Sequence, residues 1–127
     1  MTGPFERALA IGQAAGARLT AASLTYTRAG SDPVPLTGTQ GKSLWKIQDP
    51  GKPVVMVRSV DFLIQVSELV IDGLETEPAE GDVIARLIGS RTYTHKVLKP
   101  GRDIPFFSYS DTGQTRYRIH TKLMTVE

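Results

Sequence analysis

The chain has 127 residues, 40% hydrophobic and 22% charged, ordinary proportions for one globular domain that buries roughly two-thirds of its unfolded surface. It contains no cysteine, which excludes disulfides, thiolate metal sites and cysteine nucleophiles. Net charge is only +2 but unevenly spread: residues 1–85 carry seven Lys/Arg against ten carboxylates (−3), and residues 86–127 carry eight against three (+5). Apolar runs are only a few residues long, so no membrane span is expected. The opening MTGPFERALAIGQ has an acidic residue where a secretory leader would be basic and lacks an uninterrupted apolar core, so an intracellular origin is expected.

In chain order, residues 4–19 are predicted to be the one helix. Pro4 suits a first turn, and Phe5, Ala8, Leu9, Gly12, Gly16 and Leu19 recur at helical spacing. Its two interior glycines each cost about 1 kcal/mol relative to alanine, so such a helix must dock on its own domain or on another subunit. Residues 22–28 read as a strand, with Leu24 and Tyr26 on one face. Residues 34–37 are a candidate hairpin partner that Pro33 and Pro35 confine to an edge, and 38–41 read as a breaker. A short strand over 43–48 carries the sole tryptophan, Trp45, as core or edge cover. After the turn at 49–53, residues 54–58 and 61–66 are two β-rich runs, and Asp72-Gly73 is a strong turn signal.

The loop 75–82 is acidic, but its order of glycine and carboxylates matches no calcium loop. Residues 81–98 form the clearest hairpin, turning at Gly89-Ser90 in the type II′ manner. Phe106, Phe107 and Tyr109 form an aromatic cluster expected to cap a barrel end or plug the core, with base stacking as the alternative. The final strand spans 115–125. Alternation places Tyr117, Ile119 and Leu123 on one face and Arg116, Arg118, His120 and Lys122 on the other. That cationic stripe faces solvent, an acidic surface or phosphate.

Strands about ten residues apart with Gly/Pro turns predict a mainly β fold, a small β-barrel or sandwich of short antiparallel strands with one N-terminal α-helix. One domain over 1–127 is expected, with 1–20 as a helix or arm and 21–127 as a barrel with long loops. No nucleophile elbow, HExxH or glycine-rich phosphate loop occurs. A constellation of His120, Asp111 and Ser110 is conceivable, but His120 is better read as part of the stripe or as a cross-strand hydrogen-bond donor. The sequence therefore reads as a binding or building element, not an enzyme, with no cofactor and no metal. The acidic residues Glu75, Glu77, Glu80 and Asp82 are candidate partners for the stripe Arg116, Arg118, His120 and Lys122, since unlike faces can join neighbouring copies.

Several segments resemble the small neck proteins of tailed bacteriophages and prophages, the head–tail joining, connector or head-closure (stopper) proteins. They are Ser23-Leu24-Thr25-Tyr26-Thr27-Arg28, Arg58-Ser59-Val60-Asp61-Phe62-Leu63-Ile64, Glu77-Pro78-Ala79-Glu80-Gly81-Asp82-Val83-Ile84, the Tyr93 strand, Phe107-Ser108-Tyr109-Ser110-Asp111 and Arg118-Ile119-His120-Thr121-Lys122. The resemblance covers residues 22–124, and its terminal motif is the most distinctive part. It implies a non-catalytic virion protein, made in the bacterial host cytoplasm, that assembles as a hexameric ring in the neck. Its implied partners are itself, portal or adaptor and tail proteins, and genomic DNA passing through the channel without sequence specificity. No membrane is implied. The loops 29–41 and 99–105 are candidates for gating or for docking to neighbouring rings. The alternative function is an OB-like nucleic-acid-binding barrel with Phe106, Phe107, Tyr109 and Tyr117 as stacking groups. A small hydrolase or sugar-binding barrel is a third class, for which the sequence offers no polar constellation.

Overall fold

The computed structural model describes residues 21–127, so the expected helix at 4–19 lies outside the described residues. The strands are β1 (Ala22–Thr27), β2 (Val34–Ile47), β3 (Val55–Gln65), β4 (Val70–Ile71), β5 (Leu74–Glu75), β6 (Val83–Ile88), β7 (Arg91–Val97), β8 (Phe107–Tyr109) and β9 (Arg116–Val126). A single 3-10 turn, Val66–Glu68, follows β3. Antiparallel pairing runs β3-β2-β1-β6-β7-β9, and β9 returns to pair with β3, closing a six-stranded barrel. Closure pairs β3 with β9 along the barrel wall and so covers two sheet edges that an open sheet would expose there. The short β8 lies beside the first half of β9, with Phe107 opposite Ile119 and Tyr109 opposite Tyr117.

Alternate residues fill the interior: Leu24 and Tyr26, Leu36, Phe62 and Ile64, Ile84, Val97, and Tyr117 and Ile119 are all buried. Leu69 and Ile71 join the same cluster from the loop that follows β3 and close that end. The Asp72-Gly73 turn has φ of 53° and 82°, the paired positive values of a two-residue hairpin that only small or polar residues tolerate. At Gly89-Ser90 only the glycine has positive φ, as a type II′ connection requires.

Two expected breaks do not occur. The sequence predicts a breaker at 38–41 and separate strands on either side, but β2 is continuous for fourteen residues. Gly38 pairs with both Ala22 and Ile64, and a Cβ there would lie 2.7 Å from the Leu63 carbonyl oxygen and 3.0 Å from Leu24 Cδ1. The glycine admits a neighbouring strand instead of ending its own. Similarly, the runs 54–58 and 61–66 are one eleven-residue strand, β3. The largest strands are therefore long, not short. The edge expected at Pro33 and Pro35 is present: residues 34–37 of β2 pair only with β1. Glu68 covers the other side, accepting from the Thr37 backbone N–H at 3.0 Å.

Candidate functional site

The four residues of the cationic stripe have different environments. Arg116 and Lys122 are exposed, Arg118 is half-buried and His120 is buried. The cause is Asp61, which faces His120 across the β3–β9 pair and is itself fully buried. Arg118 Nε donates to Asp61 Oδ2 at 2.8 Å, and His120 Nδ1 lies 2.9 Å from Oδ1. The Ser59 hydroxyl donates to Asp61 at 2.7 Å, and the Ser43 hydroxyl is a further donor. Burial alone would raise the Asp61 pKa, but the hydrogen bonds from His120, Ser43 and Ser59 and the Arg118 charge outweigh it, and the net shift is downward. The stripe is thus interrupted at its centre by an internal ion pair. Its opposite face also departs from expectation: Tyr117 and Ile119 are core, whereas Leu123 is 42% exposed. Beyond Thr121, β9 has left β3 and pairs only with β7, across an irregular register at Thr94/His95.

The acidic set divides in the same way. Glu75, Glu77 and Glu80 are exposed, but Asp82 is buried and occupied inside the chain. It accepts from the Tyr26 hydroxyl, from Arg28 Nη2 at 2.8 Å and from the Ala79 N–H at 3.0 Å. Burial, reinforced by the hydrogen bond to the Asp82 carboxylate, pushes the Tyr26 hydroxyl pKa far up. Asp82 anchors the root of the acidic loop and leaves the surface charge to the three glutamates.

The sequence reading missed a third feature. Residues 43–47 of β2 and 55–59 of β3 pair only with each other, so they extend from the barrel as a two-stranded arm. One face of the arm is braced. Trp45 Nε1 donates to Ser59 Oγ at 2.9 Å, and the Trp45 ring meets His120 edge-on with centroids 4.9 Å apart. Ile47 presses so closely on Gly101 that a Cβ there would lie 2.6 Å from Ile47 Cδ1, and Arg102 reaches Asp49 at 3.2 Å. The other face carries Leu44, Lys46, Met56 and Arg58, all exposed, with Lys42 at its base. The signal was present as the alternation Lys42, Leu44, Lys46 followed by Met56, Arg58. It shows only when Val34–Ile47 and Val55–Gln65 are each one continuous strand.

The strand directions place the charges. By strand direction loops 28–33, 66–82 and 110–115 share one end of the barrel, which carries Asp32, Glu68, Asp72, Glu75, Glu77 and Glu80 alongside Arg28 and the exposed Arg116. Loop 98–106 starts from the same end, beside Asp82, and reaches the arm through Gly101 and Arg102. The arm extends from the opposite end with Lys42, Lys46, Lys52 and Arg58. Of the two candidate gating loops, 29–41 is shorter than expected because residues 34–41 belong to β2, whereas 99–105 is a loop as expected and packs against the arm.

No catalytic constellation emerges from the geometry among the described residues. His120 is bound to Asp61, whereas Asp111 accepts from the Thr115 and Arg116 N–H groups in its own turn. His95 is buried beside Phe62 with its Nδ1 unpartnered, and burial lowers its pKa. No group of three or more His, Asp or Glu among the described residues could hold a metal. An open groove of about 720 Å³ crosses the outer faces of β1, β2 and β6, and Glu68, its one acidic side chain, is bonded to Thr37. Tyr117 is buried, while Phe106, Phe107 and Tyr109 pack on the core and on each other with centroids 5.3–6.1 Å apart. These three rings lie beside β8 and pack over the core while remaining half-buried. Among the described residues no helix is long and apolar enough to cross a membrane.

No curated protein and no solved structure matches the chain. One family does, described as "Phage head-tail joining protein", and the match runs from residue 4 to residue 127. A match of that extent takes in the closed barrel, the braced arm and the acidic end together, and the chain belongs to the phage head–tail joining protein family.

Proposed function

We propose that this protein forms a ring of six copies in the neck of a tailed-phage particle, around the channel through which the genome passes. Family membership supports a structural role at the phage neck, contacts with other head and tail proteins, and a place in the virion. The ring is the finer part of the proposal, and the observation that carries it is the segregation of charge. One end of the barrel is acidic and the other bears a basic arm. A closed ring needs two different, mutually complementary faces on each subunit. A chain with opposite charges at opposite ends supplies them.

In this reading the protein works by shape and charge, without bond-making chemistry. Glu75, Glu77 and Glu80 supply the acidic interface, and Asp82 holds their loop in place. Arg116 and Lys122 are the exposed members of the β9 stripe, available to a neighbouring subunit or to the channel. Facing the channel, they give DNA a weak, sequence-independent and salt-dependent attraction. Weak attraction suits a conduit, because tight phosphate binding would hinder passage of the genome. Arg118 and His120 act indirectly, by fixing the geometry of the wall on which the exposed charges stand.

Electron microscopy of particles carrying a labelled copy of this chain tests the proposal. The expected result is a six-fold collar of label between portal and tail tube, with filled but tailless heads when the chain is withheld. Label confined to the capsid shell or the tail tip, or normal joined particles in its absence, would overturn it.

A further inference from the structure

We infer that the β2–β3 arm docks on the acidic end of a second copy of this chain, with Leu44 and Met56 meeting the exposed Leu74 while Lys46 and Arg58 meet Glu75 and Glu77. This deepens the ring reading and rests on it. The arm face combines two kinds of group in one alternating patch: Leu44 and Met56 are 58% and 55% exposed, and Lys42, Lys46 and Arg58 surround them. Phosphate rewards the cations but gains nothing from the two apolar side chains. A protein surface that pairs apolar area with carboxylates rewards both. The β4–β5 hairpin has that composition, with Leu74 70% exposed between Asp72 and Glu75, and with Glu77 and Glu80 in the adjoining loop.

The two patches do not pair with one another within the chain. The arm begins β3 and the acidic loop follows its last residue, so by strand direction they leave the wall at different ends of that strand. Among the described residues neither Lys42, Lys46 and Arg58 nor Glu75, Glu77 and Glu80 form an ion pair. A contact from the arm of one copy to the acidic end of the next is heterologous, so it propagates and closes where the rotation permits. The brace makes the arm suited to this task. Trp45 against His120, Ile47 against Gly101 and Arg102 with Asp49 hold its inner face, so little conformational freedom remains to be lost on docking.

The test measures self-association of the full-length chain by sedimentation, alongside its melting temperature. The variants are K46E/R58E, E75K/E77K, the chain carrying all four changes, and L44S/M56S. Each charge-reversed pair alone is expected to weaken association by about tenfold or more, and the four-change chain to recover it. L44S/M56S weakens association as well, and the melting temperature of the monomer is maintained because all these side chains are exposed. The inference is overturned by a wild-type chain that stays monomeric at every concentration reached. It is also overturned by reversed arms that associate normally, or by a four-change chain no better than its parents. Arm variants that lose binding to DNA, portal or tail proteins while self-association is intact overturn it too. Each of these results leaves the neck assignment to be decided separately, by where the label sits in particles.

Discussion

His120 lies directly opposite Asp61 across the β3–β9 pair, its Nδ1 2.9 Å from a carboxylate oxygen that no solvent reaches. The pair stands on the outer side of the barrel wall. Phe62 and Ile119, the next residues along each strand, point into the core. Trp45 and Ser43 cover it from the arm, so one carboxylate ties the wall, the arm and β9 together.

Asp61→Ala should therefore be among the most damaging single changes in the chain. It leaves Arg118, His120, Ser43 and Ser59 without their shared acceptor. Removing one partner of a buried ion pair costs about 3–5 kcal/mol, and chemical denaturation should show a loss of that order. Arg116→Ala and Lys122→Ala, at exposed positions on the same strand, should change stability by less than about 0.5 kcal/mol.

Acid should weaken the fold in two windows. His95 is buried, and its pKa lies below the ordinary 6.5, so the unfolded chain binds its proton first. Stability is then lost as pH falls through 6.5 and on towards the folded value. Asp61 is depressed below 3.8, so its contribution is complete above 3.8 and is lost as pH falls through its folded value. Asp111, lowered by its bonds from Thr115 and Arg116, adds to the same second window. Denaturation across a pH series should show that His95→Leu removes the first slope while Asp61→Asn reduces the second.

Two glycines on one strand should respond oppositely to alanine. At Gly38 the new methyl meets backbone at 2.7 Å, so Gly38→Ala should cost about 1–3 kcal/mol. At Gly41 the nearest atom is 3.9 Å away, so Gly41→Ala should be neutral or stabilise by about 0.4–1 kcal/mol through the unfolded state. Thermal melts of the two variants side by side read the difference.

Tyr26→Phe removes one donor from buried Asp82 but leaves Arg28 and the Ala79 N–H in place. A loss of about 1–2 kcal/mol in denaturation is expected. Arg28→Ala should cost more, because it removes the charge that balances the buried carboxylate. Hydrogen exchange should show looser protection around Ala79 and Val83 in both variants.

Local chemistry made much of this architecture readable from the sequence. Alternation put Leu24 with Tyr26, and Tyr117 with Ile119, on one face of their strands, and all four are buried, because strand side chains have a period of two whatever the strand pairs with. Asp72-Gly73 and Gly89-Ser90 were identifiable as turns because the φ values of their tight turns favour such residues.

What the sequence could not supply was the identity of each strand's neighbours. Gly38–Gly41 looks like a break until β3 is laid alongside it. Leu123 looks like core until β3 is seen to turn away into the arm. Arg118, His120 and Asp82 look like surface charge, yet each is bound to a residue more than fifty positions distant. The two-residue alternation and the tight turns were therefore decided by the sequence, because they depend on residues two or three apart. Which charges are spent internally, and which remain at the two ends for another molecule, was decided only by closure of the barrel. Closure brings carboxylates and cations within hydrogen-bonding distance in a pattern that no local spacing encodes.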